Sequence, residues 1–133
     1  MRYLCLGYYD PDRFDALSEE EQEALGQRCR PHDEAFHATG AVTSVATLEH
    51  GARVLIRPSD AGPSVTDGPF AEAKEVVGSY FIIEADSLDE AVEIASLHPA
   101  AQLGSELGFA VEVRPIERVW VEDGEYVPAP GEA

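Results

Sequence analysis

The length, composition and charge of the chain limit what it can be. Its 133 residues, 44% of them hydrophobic, suit one domain with one core. Nine basic against 26 acidic side chains give a formal net charge of -17, which repels phosphate backbones and anionic membranes. We therefore expect neither nucleic acid nor a membrane as a partner. No apolar window approaches the roughly 20 residues that span a bilayer and no signal-peptide pattern opens the chain, so we expect a cytoplasmic protein.

The first half of the chain predicts a strand, a helix and a hairpin. Residues 2–9 carry apolar groups on both faces, which is typical of a central strand. Ser18 and Glu21 have the spacing of a capping box that opens a helix. The stripe expected to face the sheet from this helix is Leu25, Cys29, His32 and Phe36. Pro31 predicts a kink or a restart, and residues 41–48 and 53–57 predict a hairpin.

The second half repeats the alternation of strand and helix. Residues 76–85 are nearly continuous apolar sequence, as in a strand covered on both faces, and Ser87 with Glu90 predicts another capped helix. Residues 110–114 and 116–121 supply the last strand material. We therefore divide the chain into a domain, residues 1–121, and an acidic, mobile tail, residues 122–133.

The order of these elements indicates the fold class. Without the return strand of the hairpin, the order is strand, helix, strand, strand, helix, strand, which predicts an α+β, ferredoxin-like split βαβ fold with an antiparallel sheet. Both helices then cover one face, and apolar residues remain for the other. We expect a second copy to cover that face, forming a homodimer. Cys5 and Cys29 are predicted to be reduced thiols.

One long motif resembles a known family. The run from Asp67-Gly68-Pro69-Phe70 to Ala91 is similar to the signature of the DGPF group of YCII-related proteins, and the resemblance covers roughly residues 1–118. It implies a ferredoxin-like dimeric α/β barrel. It also implies a frequent link to extracytoplasmic-function sigma factors and a cleft that a His and an Asp face. The chain departs from the family pattern at Ala73, where Thr is common, and at Ser79, where Gly is common.

His32 and Asp67 match the His and the Asp of that family, which makes them the predicted catalytic pair. An imidazole on the inner stripe of a helix serves as general acid or base if a carboxylate orients it. The alternatives are structural: His32 as a core histidine bonded to a backbone carbonyl, and Asp67 as a turn residue that bonds its own backbone.

Three other residues are predicted to line a ligand cleft, namely His98, Ser79 and Tyr80. His98 has a competing explanation, because it follows the second predicted helix and would cap it there. The sequence has no closely spaced metal-ligand run, phosphate loop, dinucleotide fingerprint or nucleophile elbow, so no metal or cofactor is predicted.

Two functions stay open at this point. One is a small cofactor-independent enzyme that performs acid–base chemistry on a small organic molecule, with His32 and Asp67 as the reacting pair. The other is a non-catalytic ligand-binding or regulatory module linked to a sigma factor.

Overall fold

The computed structural model describes residues 1–51, 53–67, 74–129 and 131 of the chain. The elements in chain order are β1 (Arg2–Tyr9), α1 (Pro11–Asp15), α2 (Glu19–His37), β2 (Val42–Thr47), β3 (Val54–Arg57), β4 (Ser64–Asp67), β5 (Val76–Glu84), α3 (Leu88–Ala95), α4 (Pro99–Gln102), β6 (Ala110–Pro115), β7 (Val121–Glu122) and β8 (Glu125–Tyr126). A 3-10 turn, Ser105–Leu107, precedes β6.

The central sheet has the order β2-β5-β1-β6, and every pairing in it is antiparallel. With α2 after β1 and α3 after β5, this is the split βαβ arrangement. The prediction of an α+β, ferredoxin-like fold is therefore confirmed. β1 and β5 are the two inner strands, as their apolar character on both faces indicated.

The helices cover one face of this sheet. On that face Tyr3, Cys5, Phe81 and Ile83 are at most 2% exposed, and they pack with Phe36 of α2. Burial raises the pKa of the Cys5 thiol to about 11. Both cysteines are free thiols, as predicted.

Helix α2 begins with the predicted capping box. The Ser18 hydroxyl accepts from the backbone N–H of Glu21, whose carboxylate accepts from the N–H of Ser18. The helix continues through Pro31, so the predicted restart is wrong. Proline has no backbone N–H, so Pro31 leaves the carbonyl of Gln27 without its helical hydrogen-bond donor. The helix tolerates this because Gln27 lies in an exposed stretch.

The predicted hairpin between residues 41–48 and 53–57 is also wrong. β2 pairs with β5, whereas β3 pairs with β4 in a separate two-stranded sheet. Pairing with β5 occupies the free edge of the most apolar strand, an arrangement that a local hairpin signal does not reveal.

Several short elements of the described residues lie where the sequence predicted none, among them α1, α4 and the β7–β8 hairpin. α1 follows Asp10-Pro11, which the sequence indicated only as the end of the strand. The predicted tail begins with the β7–β8 hairpin, where Glu122 pairs with Arg2 and Trp120 stacks on Tyr126. Mobility of the later residues stays a prediction. None of the helices in the described ranges is both long and apolar enough to cross a membrane.

Candidate functional site

An apolar cleft of about 300 Å³ opens on the helix side of the sheet, where β1 ends and β5 begins. Backbone and side chains of the two strands meet residues of the helices there. Its lining includes Gly7, Tyr9, Phe14, Cys29, Ser79 and Phe109. Ser79 lies in the wall of this cleft, and its contact with a ligand stays a prediction.

A β-bulge shapes this cleft. The register between β1 and β5 shifts between Gly7 and Tyr8, so that Gly78 is the extra residue on β5. A Cβ on Gly78 would lie 2.6 Å from two carbons of the Tyr9 ring. The ring can occupy this position only because residue 78 has no side chain.

Tyr9 begins a chain of hydrogen bonds that leads away from the cleft. Its hydroxyl oxygen lies 2.5 Å from Nδ1 of His50, and Nε2 of the same imidazole lies 2.6 Å from Oδ1 of Asp15. We call these three residues the relay. Phe14 packs against both rings, with centroids 6.0 Å from Tyr9 and 5.4 Å from His50.

Local structure explains how Asp15 reaches the relay. Asp10 is 7% exposed and caps α1, because its carboxylate accepts from the backbone N–H of Asp12 and Pro11 occupies the first turn. The N–H of Asp10 donates to the carbonyl of Leu107, which fixes the start of the helix. One turn of helix then presents Asp15 to the loop that carries His50.

The relay assigns the direction of each hydrogen bond. A carboxylate only accepts, so Nε2 of His50 carries a proton and donates to Asp15. In the neutral imidazole Nδ1 is then the acceptor, and the Tyr9 hydroxyl donates to it. This arrangement is that of an orienting acid, a base and a reactive hydroxyl.

The hydrogen bonds of the described residues do not connect His32 with Asp67. His32 is half-buried on α2, one turn beyond Cys29, and Asp67 is the exposed last residue of β4. No hydrogen bond or ion pair joins these two residues. Gly68, Pro69, Phe70 and Ala73 of the motif lie outside the described residues. The catalytic pairing of His32 with Asp67 stays a prediction.

His98 is a helix cap, but of a different helix from the one predicted. Its Nδ1 accepts from the backbone N–H of Ala100 at the start of α4, and its ring stacks on Phe81 with centroids 4.6 Å apart. Burial lowers the pKa of His98, the Asp33 carboxylate opposes this shift, and His37 adds to it. Neither His98 nor Tyr80 is among the residues that line the cleft. Tyr80 follows Ser79 in β5, so it alternates to the opposite face of the sheet.

No reacting role for Tyr9, Asp15 or His50 was predicted from the sequence, and no local pattern connects these residues. Tyr9 and His50 are 41 positions apart, and the expected hairpin placed His50 at an exposed tip. Within the described ranges, no group of three or more His, Cys, Asp and Glu side chains is arranged to hold a metal ion.

Comparison with known proteins gives three findings. The YCII-related domain is matched over residues 1–117. An uncharacterised protein of Rhizobium meliloti (strain 1021) is 34% identical over 96 residues, which cover 71% of this chain and 77% of that protein. Among solved structures, 5-chloro-2-hydroxyhydroquinone dehydrochlorinase from Burkholderia phenoliruptrix AC1100, in complex with 2,5-dihydroxybenzoquinone, aligns with a TM-score of 0.48 and 17% identity. That alignment covers 90% of this chain and 96% of the other.

The partial burial of His98 predicts a pH dependence of stability. Because its folded-state pKa is lowered, the unfolded chain takes up this proton first as the pH falls. The contribution of His98 is complete above its unfolded pKa of about 6.5 and is lost as the pH falls through the folded value. His98→Asn keeps an acceptor for the cap and removes the titration. Urea unfolding between about pH 5 and 8 should show a flatter profile for this variant.

His37→Asn is the matched control, since His37 is exposed at the end of α2. It should keep most of the pH dependence of the unmodified chain. Equal slopes for His98→Asn and the unmodified chain would mean that burial does not set the titration of His98.

Proposed function

The chain belongs to the YCII-related family, and from this premise we propose that it is a small enzyme performing acid–base chemistry on a small organic molecule bound in the cleft. The observation that carries the proposal is the hydrogen-bonded sequence of Tyr9, His50 and Asp15, with Tyr9 in the cleft wall. Tyr9 is the group that meets the substrate. His50 and Asp15 act through it.

The chemistry follows from the direction of the hydrogen bonds. As a base, Tyr9 passes its proton to Nδ1 of His50, and the phenolate oxygen then takes a proton from the substrate. As an acid, Tyr9 donates its proton to a substrate oxygen, and the phenolate regains a proton from Nδ1 of His50 after the imidazole has taken one up from the solvent. Asp15 holds the imidazole in the required orientation and stabilises its charged form.

The relay also supplies a route for protons between the cleft and the solvent. The side chains of His50 and Asp15 are 40% and 62% exposed, whereas Tyr9 lines the cleft. Protons can therefore return to Tyr9 from the outside while the substrate stays bound. A buried acid without a connection to the solvent could donate its proton only once while a substrate molecule stays bound.

A non-catalytic ligand-binding module is the second candidate. The exposure of Asp15 favours it, because a solvated carboxylate holds an imidazole less firmly than a buried one. The sigma-factor link and the cytoplasmic location would fit this alternative equally well. Both come from the sequence and its resemblance, as does membership of the DGPF group.

We also propose that the chain forms a homodimer through the face of the sheet opposite the helices, which we call the open face. Leu4, Leu6 and Ile82 lie on it and are half-buried in one chain. The β3–β4 hairpin adds further uncovered apolar surface, because Ile56 and Val65 are 65% and 63% exposed. A second copy covers this surface most economically.

Removing the hydroxyl of Tyr9 tests the proposed chemistry. The probe is cyclohexanone in D2O, whose exchange of α-hydrogens for deuterium is followed by NMR. Tyr9→Phe keeps the ring that packs over Gly78 and removes the proton that His50 accepts. The catalysed exchange rate should fall by about 10²- to 10⁴-fold, the usual contribution of a general acid or base.

Tyr126→Phe makes the same chemical change at a side chain that is 60% exposed in β8, and it should leave the rate unaltered. If Tyr9→Phe exchanges as fast as the unmodified chain, Tyr9 is not the acid or base. If exchange depends instead on His32 and Asp67, tested as His32→Gln and Asp67→Asn, the pair indicated by the family resemblance is the reacting one.

Sedimentation velocity at micromolar concentration tests the dimer. The unmodified chain should sediment at about twice the 14.4 kDa of one copy. Leu6→Lys places a charge on the open face and should shift the population to monomer, since an unpaired charge is costly to bury. Leu88→Lys makes the same change on α3, where the side chain is 48% exposed, and should remain dimeric. A monomeric unmodified chain would contradict the proposal.

A further inference from the structure

The lining of the cleft shows which chemical class of molecule it accepts. We infer that the cleft selects an uncharged molecule with one ring and a hydroxyl or carbonyl oxygen, and that it rejects anions of the same size. This inference rests on the proposed function for the role of Tyr9, and it adds the charge and the size of the substrate.

The size follows from the volume. At about 30 Å³ for each water-sized group, the cleft of about 300 Å³ holds about ten non-hydrogen atoms. Phe14 and Phe109 offer aromatic surface to the occupant, while Gly7 and Gly78 leave room for the Ser79 hydroxyl and the Tyr9 ring in the wall of the cleft. A Cβ on Gly7 would collide with the Ser79 hydroxyl, so a side chain at position 7 would displace Ser79 from its place in the wall.

The charge selection follows from the polar groups. Within the described part of the chain, the lining contains no Lys, Arg or His side chain. Its polar side chains are the hydroxyls of Tyr8, Tyr9, Thr47 and Ser79 and the thiol of Cys29. Burial and the neighbouring Asp33 carboxylate raise the pKa of that thiol, which keeps it uncharged.

An anion would therefore lose its hydration in this cleft without gaining a cation. The nearest positive charge that the relay can offer is a protonated His50, and Asp15 already neutralises it at 2.6 Å. The net charge of -17 adds a longer-ranged repulsion. A neutral ring with one oxygen instead meets apolar walls and the hydroxyl of Tyr9.

Three probes separate these properties. The unmodified protein is titrated with 4-methylphenol, with benzoate and with 4-phenylphenol, and Kd is read from NMR shifts of the cleft residues. 4-Methylphenol should bind at least 10-fold more tightly than benzoate, which has a similar size and carries a charge. 4-Phenylphenol keeps the hydroxyl but has a second ring, and it should bind at least 10-fold more weakly than 4-methylphenol.

Salt distinguishes the local effect from the repulsion by the whole protein. At about 0.5 M salt, surface charges are largely screened, so a preference set by the lining should persist. If benzoate binds as well as 4-methylphenol in high salt, or if 4-methylphenol does not bind at millimolar concentration, the inference is overturned.

Tyr9→Phe separates this inference from the proposed function. The variant should keep its preference for the neutral ring over benzoate, because the lining is otherwise unchanged, while it loses the exchange activity. A preserved preference together with an unchanged exchange rate would overturn the proposed role of Tyr9 and leave the substrate class standing. If the unmodified protein shows no preference for the neutral ring while its exchange activity is intact, the substrate class is overturned and the proposed role of Tyr9 stands.

Discussion

The antiparallel pairing of β1 with β5 is the constraint on which the rest of the structure depends. It brings Cys5 beside Phe81 and Tyr3 beside Ile83, so that one face of two adjacent strands forms the floor of the core. The same pairing contains the bulge at Gly78, and there the regular alternation is broken. The ring of Tyr9 packs over the residue that has no side chain. The core and the cleft therefore lie at opposite ends of the same pair of strands.

The relay joins three segments that are separated in sequence and that each have another structural task. Tyr9 ends the central strand, Asp15 ends a helix that the buried Asp10 caps, and His50 lies in the connection after β2. Phe14 touches both rings of the relay and ties the helix to it. Because two of the three side chains are partly exposed, the geometry depends on this packing rather than on burial of charge. The relay thus combines a defined orientation with access for solvent protons.

The sequence predicts the elements better than it predicts their partners. The stripe of α2, its capping box and the apolar run of β5 are local patterns, and all of them appear in the structure as expected. Burial against residues far away in the sequence decides which strand pairs with β2. The strand predicted next along the chain, residues 53–57, was therefore the wrong partner. The relay was not predicted for a related reason. The sequence identifies His50 only as a loop residue, and the β2–β5 pairing is what directs that loop toward β1. Ser79 was singled out because it departs from the family pattern, and its position in the cleft wall leaves its contact with a ligand a prediction.

The tautomer of His50 is the most direct measurement of the central claim, that Tyr9, His50 and Asp15 form one directed chain. Nitrogen NMR of the imidazole reports which ring nitrogen carries the proton. The relay predicts one fixed tautomer, with the proton on Nε2 and an Nδ1 signal that changes in Tyr9→Phe. A freely averaging imidazole, or an Nδ1 signal indifferent to Tyr9→Phe, would contradict it.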